Sequence, residues 1–133
     1  MPPHKAAGVS YVLDTSAVIA YLAGERGSAG VEALKSISAL PFMALSELYY
    51  VVWQKKDKAE ADRMYGLVRG WHLPILYPTE RTVLIAGRLK VVWKLGIADS
   101  YIAAIAKSFD LTLLTKDPDY KKLQSEIRLR FLG

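Results

Sequence analysis

The 133-residue sequence contains no cysteine and only two histidines, His4 and His72. The first absence excludes disulfides, thiolate zinc sites and cysteine nucleophiles. The second leaves no imidazole pair at metal-ligand spacing and no base for a Ser–His–Asp triad, since His4 lies in an N-terminal tail and His72 in a "GWHLP" turn. No apolar run reaches the roughly 18 residues that a membrane helix needs, because Asp14 interrupts the best candidate, "YVLDTSAVIAYL". That run is followed by "GERG" rather than a cleavage site, so it does not read as a signal peptide. The glycines of "GERGSAG" follow a helical pattern and lack Gly-Lys-Ser/Thr, which excludes a phosphate-binding loop. A cysteine-free chain with no membrane segment is expected in a reducing cytoplasm.

What is present is a chain with 52% hydrophobic residues and a net charge of +5. Its length suits one domain of about 100–200 residues, expected over residues 9–133 after a flexible tail at residues 1–8. No repeat, linker or low-complexity tract divides it. The positive balance favours an anionic partner without specifying one. A modest basic patch falls near the end, where Lys116, Lys121, Lys122, Arg128 and Arg130 stand among three acids.

The apolar pattern switches repeatedly between strand-like and helix-like periods. "GVSYVL", "SALPFMAL", "LPILYP" and "LTLLT" read as strands, and "IRLRFL" as an alternating edge strand. Helices are expected over "TSAVIAYLAG" and "GSAGVEALKS", and from Leu45 with Leu48, Tyr49 and Val52 on one face. A further helix carries Ala61, Met64, Tyr65 and Val68. A long one, capped by Thr79 and ended by Gly96, carries Leu84, Gly87, Val91 and Leu95. The last covers "ADSYIAAIAKSF". Such alternation predicts a three-layer α/β/α architecture around a mostly parallel sheet of four to five strands.

Four acids land at meaningful places on this map. Asp14 ends the first strand, Glu47 lies in the first turn of the helix after the second, Asp99 opens the "ADSYIAAIA" helix, and Asp117 follows "LTLLT". Each has an ordinary reading: a helix cap for Asp14 and Asp99, a dipole partner for Glu47, a turn former for Asp117. Together they fall on the one sheet edge where parallel α/β folds bind ligands. Carboxylates gathered there repel one another unless a cation sits among them. An all-oxygen donor set suits a hard ion, Mg²⁺ or Mn²⁺.

The stretches "YVLDTSAVIAYL", "MALSELYYVV" and "IADSYIAAIAKSFDLTLLTKDPDY", in this order and spacing, resemble the PIN domain, in particular the VapC-like toxin ribonucleases of toxin–antitoxin pairs. The resemblance spans Tyr11 to Tyr120. It implies that Asp14, Glu47 and Asp99 are metal ligands for one or two ions. Asp117 then matches a more peripheral fourth acid, with Asp119 as an alternative for part of its role. Ser16 and Thr115 match hydroxyls that orient water or a carboxylate. It also implies endonucleolytic cleavage of single-stranded or looped RNA, a small antitoxin partner and a homodimer. Lys116, Lys121 and Lys122 are candidates to track the RNA backbone, or form a solvated basic turn. Tyr49, Tyr50 and Trp53 could stack on bases, or belong to a core or dimer face. Two departures from the family, the long "MPPHKAAG" tail and Tyr120 in place of an apolar aromatic, are not expected to touch the chemistry.

The alternative is a PIN-like module that binds RNA or a protein partner without cutting. Receiver-type phosphoacceptors and haloacid-type phosphatases fit poorly. The first wants an adjacent acidic pair and the second Asp-x-Asp, whereas "LDTS" supplies one acid.

Overall fold

Tyr11, Val12 and Leu13 form a three-residue strand, β1 (Tyr11–Leu13), whose side chains alternate between two cores. The computed structural model describes residues 8–133, so the expected tail over residues 1–8, but for Gly8, lies outside the described residues, as does His4. After β1 come α1 (Thr15–Leu22), α2 (Ser28–Leu34), a 3-10 turn (Lys35–Ile37), β2 (Ser38–Pro41), α3 (Phe42–Lys55), α4 (Lys58–Arg69) and β3 (Ile75–Leu76). The chain continues through α5 (Glu80–Trp93), α6 (Ile97–Ser108), β4 (Thr112–Thr115), a 3-10 segment (Pro118–Leu123) and β5 (Leu129–Phe131).

The five strands make one sheet in the order β3-β2-β1-β4-β5, every neighbouring pair parallel. Register places Val12 beside Ala39 and Leu113, and Leu13 beside Leu114. Val12, Ala39 and Leu113 face one core, shared with Ala86 and Leu89 of α5 and Ile102 and Ile105 of α6. Leu13, Leu40 and Leu114 face the other, shared with Val18 of α1, Val31 of α2, Leu48 of α3 and Val68 of α4. Helices α1–α4 thus cover one face and α5–α6 the opposite one, which is the three-layer arrangement expected. Each fully buried leucine contributes about 1.5–3 kcal/mol of apolar burial.

Three local expectations need correction. The second strand stops at Pro41, and Phe42–Leu45 already belong to α3. Pro41 lacks an N–H to continue a ladder and precedes the helix in extended conformation, so the apolar run changes period there. Glu47 consequently sits in the second turn of α3, not the first. The long helix α5 buries Thr82, Ala86 and Leu89, while Leu84 and Val91 are 67% and 78% exposed. The small Ala86 and the Thr82–Ser108 hydroxyl contact (2.8 Å) set that face against α6. Gly96 does not end α5 either: Lys94 closes it in the left-handed region (φ 55°), and Gly96 starts α6.

Candidate active site

Strand order reverses between β1 and β4, because β2 and β3 build outward on one side of β1 and β4 and β5 on the other. The carboxyl ends of β1 and β4 therefore flank the crevice where ligands bind in such sheets. Asp14 follows β1 directly, and Thr115 ends β4.

Asp14 does cap α1, accepting the Ala17 N–H through Oδ1 at 2.9 Å. Ser16 Oγ donates to the same oxygen at 2.7 Å, and Thr115 Oγ1 donates to Oδ2 at 2.6 Å across the strand-order reversal. The two hydroxyls are themselves held in place: Ser16 Oγ accepts the Lys116 N–H and Thr115 Oγ1 accepts the Asp117 N–H, each at 2.9 Å. Asp14 is only 3% exposed. Burial pushes its carboxyl up to about 6, against the pull of the hydrogen bonds from Thr115, Ser16 and Ala17, and the charge of Asp117 adds to the rise.

Glu47 projects from the second turn of α3, and Thr15 Oγ1 donates to its Oε1 at 2.6 Å. Tyr50 OH lies 3.4 Å from Oε2, at the outer rim. Asp99 is the third residue of α6, so it is not that helix's cap. Tyr120 OH donates to its Oδ1 at 3.1 Å. Burial raises the Asp99 carboxyl; the Tyr120 bond offsets part of this, and Asp117 and Asp119 add to it. Asp117 opens the 3-10 segment as a turn former, its Oδ1 accepting the Asp119 N–H at 2.9 Å. The four acids Asp14, Glu47, Asp99 and Asp117 line one cavity of about 200 Å³, with Thr15, Ser16 and Tyr120 in its wall. Asp119 is exposed and outside that wall.

The basic candidates separate. Lys116 Nζ pairs with Glu25 at 3.6 Å, whereas Lys121 and Lys122 are exposed on the 3-10 segment. Lys122 stands near enough to Asp99 to oppose its upward shift.

Sequence reasoning missed Thr15 and misjudged Tyr120. Thr15 lies between two residues singled out in "LDTS", but its contact with Glu47 depends on how α1 meets α3. Tyr120 was expected to be remote from the chemistry and instead places its hydroxyl on an acid of the cavity.

The donor set is oxygen throughout, and among the described residues the buried Asp14 carboxylate has no basic partner, both of which fit a hard divalent cation. Among the described residues, no three acidic or histidine side chains converge as they stand into a ligand set. Thr15 and Tyr120 hold Glu47 and Asp99 by one oxygen each.

The family model of the PIN domain matches residues 11–126. The chain belongs to the PIN domain family. This family is one of nucleases, and the resemblance read from the spacing of the acids is borne out. No curated protein matches this PIN domain in sequence. Among solved structures it is similar to VapBC2 from Rickettsia felis bound to a DNA fragment from its promoter, with a TM-score of 0.77 and 21% identity over 94% of this chain and 100% of that one. It is similar to VapBC-1 from nontypeable Haemophilus influenzae, with a TM-score of 0.73 and 22% identity over 92% and 98%. VapBC-5 from Mycobacterium tuberculosis, a member of the VapBC family of toxin-antitoxin systems, gives 0.70 and 23% over 93% and 98%. At these identities the likeness is one of fold. No helix among the described residues is long and apolar enough to cross a membrane.

Proposed function

We propose that this PIN domain is a divalent-metal-dependent endoribonuclease acting on single-stranded or looped RNA, and that it is the toxin of a toxin–antitoxin pair. The observation that carries the reading is the arrival of Asp14, Glu47, Asp99 and Asp117, from four separate elements, around one cavity at the reversal in strand order. Residues 9–133 act as one nuclease domain.

Asp14, Glu47 and Asp99 would hold one ion of Mg²⁺ or Mn²⁺, with Asp117 completing the site or holding a second. A divalent ion there supplies neutralisation of the phosphodiester charge and a lowered pKa for the attacking water. Ser16 and Thr115 keep the Asp14 carboxylate in one orientation, so its geometry is set before substrate arrives. One carboxylate of the set takes the proton that the attacking water loses. Lys121 and Lys122 lie on the exposed side of the 3-10 segment, where they can follow the RNA backbone. Water attacks the phosphorus directly, with no covalent protein intermediate; the family resemblance adds that the P–O3′ bond is the one that breaks, which leaves a 5′-phosphate and a 3′-hydroxyl.

The toxin–antitoxin character of the structural neighbours supports a small antitoxin as partner. The family resemblance adds a homodimer, and the cysteine-free composition fits a reducing cytoplasm. The deciding experiment incubates purified, partner-free protein with a panel of structured RNAs in Mg²⁺, Mn²⁺ or EDTA, beside Asp14→Asn. Cutting that needs the ion and vanishes in the variant is the expected result. Intact metal binding without cutting of any RNA would favour a non-catalytic module that binds RNA or a protein.

A further inference from the structure

Tyr120 is 3% exposed and packs into the core that contains Ile102 and Leu113, a place any apolar aromatic could fill. A phenol in that position must find a partner for its hydroxyl, because a buried donor left unpaired is costly. The partner is an acid of the cavity: the O–H donates to Asp99 Oδ1 at 3.1 Å. Among the described residues Tyr120 is the one side chain that donates to Asp99, and Oδ2 accepts no hydrogen bond. The other two inner acids are anchored differently, Asp14 by three donors and Glu47 by Thr15.

We propose that Tyr120 is a positioning residue for the cation site: its hydroxyl fixes Asp99 through Oδ1 and leaves Oδ2 free for the ion. The inference rests on the metal-dependent reading of the cavity. It gives the departure from an apolar aromatic at position 120 a task, the anchoring of an acid that no other described side chain holds. The ring fills the core with or without the hydroxyl, so the two roles can be separated by removing one oxygen atom.

The test titrates Mn²⁺ calorimetrically into the full 133-residue chain as wild type, Tyr120→Phe, Asp99→Asn and the double variant. Tyr120→Phe is expected to bind Mn²⁺ about tenfold or more weakly, within the range over which residues behind metal ligands act. In the Asp99→Asn background the same change should have no further effect, because the acceptor is already altered. RNA cleavage by Tyr120→Phe should require more Mn²⁺ yet recover its turnover at saturating ion. The rise in melting temperature on exchanging EDTA for Mn²⁺, read for each variant at its own midpoint, gives the answer even if Tyr120→Phe is destabilised. If Tyr120→Phe binds Mn²⁺ as tightly as wild type or more tightly, Tyr120 is only core filling and the inference falls while the nuclease reading stands. A wild-type protein that binds neither Mn²⁺ nor Mg²⁺ overturns both.

Discussion

Asp14 holds its charge in a buried setting with three donors and, among the described residues, no basic partner. Asparagine at this position keeps an oxygen for Ser16 and Ala17 and removes the charge. Asp14→Asn is therefore expected to abolish cleavage while leaving the metal-free melting temperature unchanged or higher; a marked drop in scanning calorimetry with EDTA would count against the clustered-charge account. Thr115→Val should behave oppositely. It removes the donor to Asp14 and the acceptor for the Asp117 N–H, costing about 1–3 kcal/mol in urea unfolding besides lowering activity. Asp14 and Glu47 were legible in the sequence because a carboxylate within an apolar run is conspicuous, Asp99 because it stands in the first turn of a helix, and Asp117 because it follows a strand. Thr15 and Tyr120 were not, since a threonine at a helix start and an aromatic in a core are unremarkable until the facing element is known.

At the level of elements, the two leucines beside each other in β4 serve opposite layers, Leu113 toward α5 and α6 and Leu114 toward α1–α4. Leu114→Ala empties a fully buried position and should cost about 2–5 kcal/mol, measured as a lower denaturation midpoint. A second tie crosses between elements at Glu126. Its carboxylate receives Arg88 at 2.6 Å, Lys107 at 2.7 Å and Trp93 Nε1 at 2.9 Å, joining α5 and α6 to the loop before β5. These partners, Arg88 foremost and then Lys107 and Trp93, hold the Glu126 carboxyl down at about 2, against an ordinary 4.5. A depressed carboxyl stabilises the folded state above its unfolded value, and that contribution is lost as pH falls from about 4.5 through about 2. With Arg88 and Lys107 partly exposed, the effect is about 1–2 kcal/mol. Glu126→Gln should thus lower stability at pH 7 and match wild type near pH 2 in paired urea titrations. The order of helices and strands was readable from the change of period, but which face α5 turns inward was not. Leu84 and Val91 are the more apolar choice, yet close packing on α6 selects Thr82 and Ala86.

For the molecule as a whole, a net charge of +5 coexists with an acidic cavity, so on the proposed reading the attraction to RNA comes from outside that cavity. Lys121 and Lys122 are free of the ion pair that engages Lys116. Replacing both with alanine is expected to weaken RNA binding and flatten the plot of log affinity against log salt by about 1.4, at roughly 0.7 per phosphate contact. Fluorescence anisotropy with a catalytically silent Asp14→Asn background would read it, and an unchanged slope would move the RNA path elsewhere.

The hydrogen bond between Thr115 and Asp14 joins residues 101 positions apart. A polypeptide leaving the ribosome has made Asp14, Glu47 and Asp99 well before Thr115 and Asp117, and until β4 slots in beside β1 the first acid has lost one of its three donors. Closing a loop of that length costs entropy before the contact can stabilise anything, which slows its formation. On the ribonuclease reading proposed above, the cavity stays incomplete until β4 has been made and paired with β1.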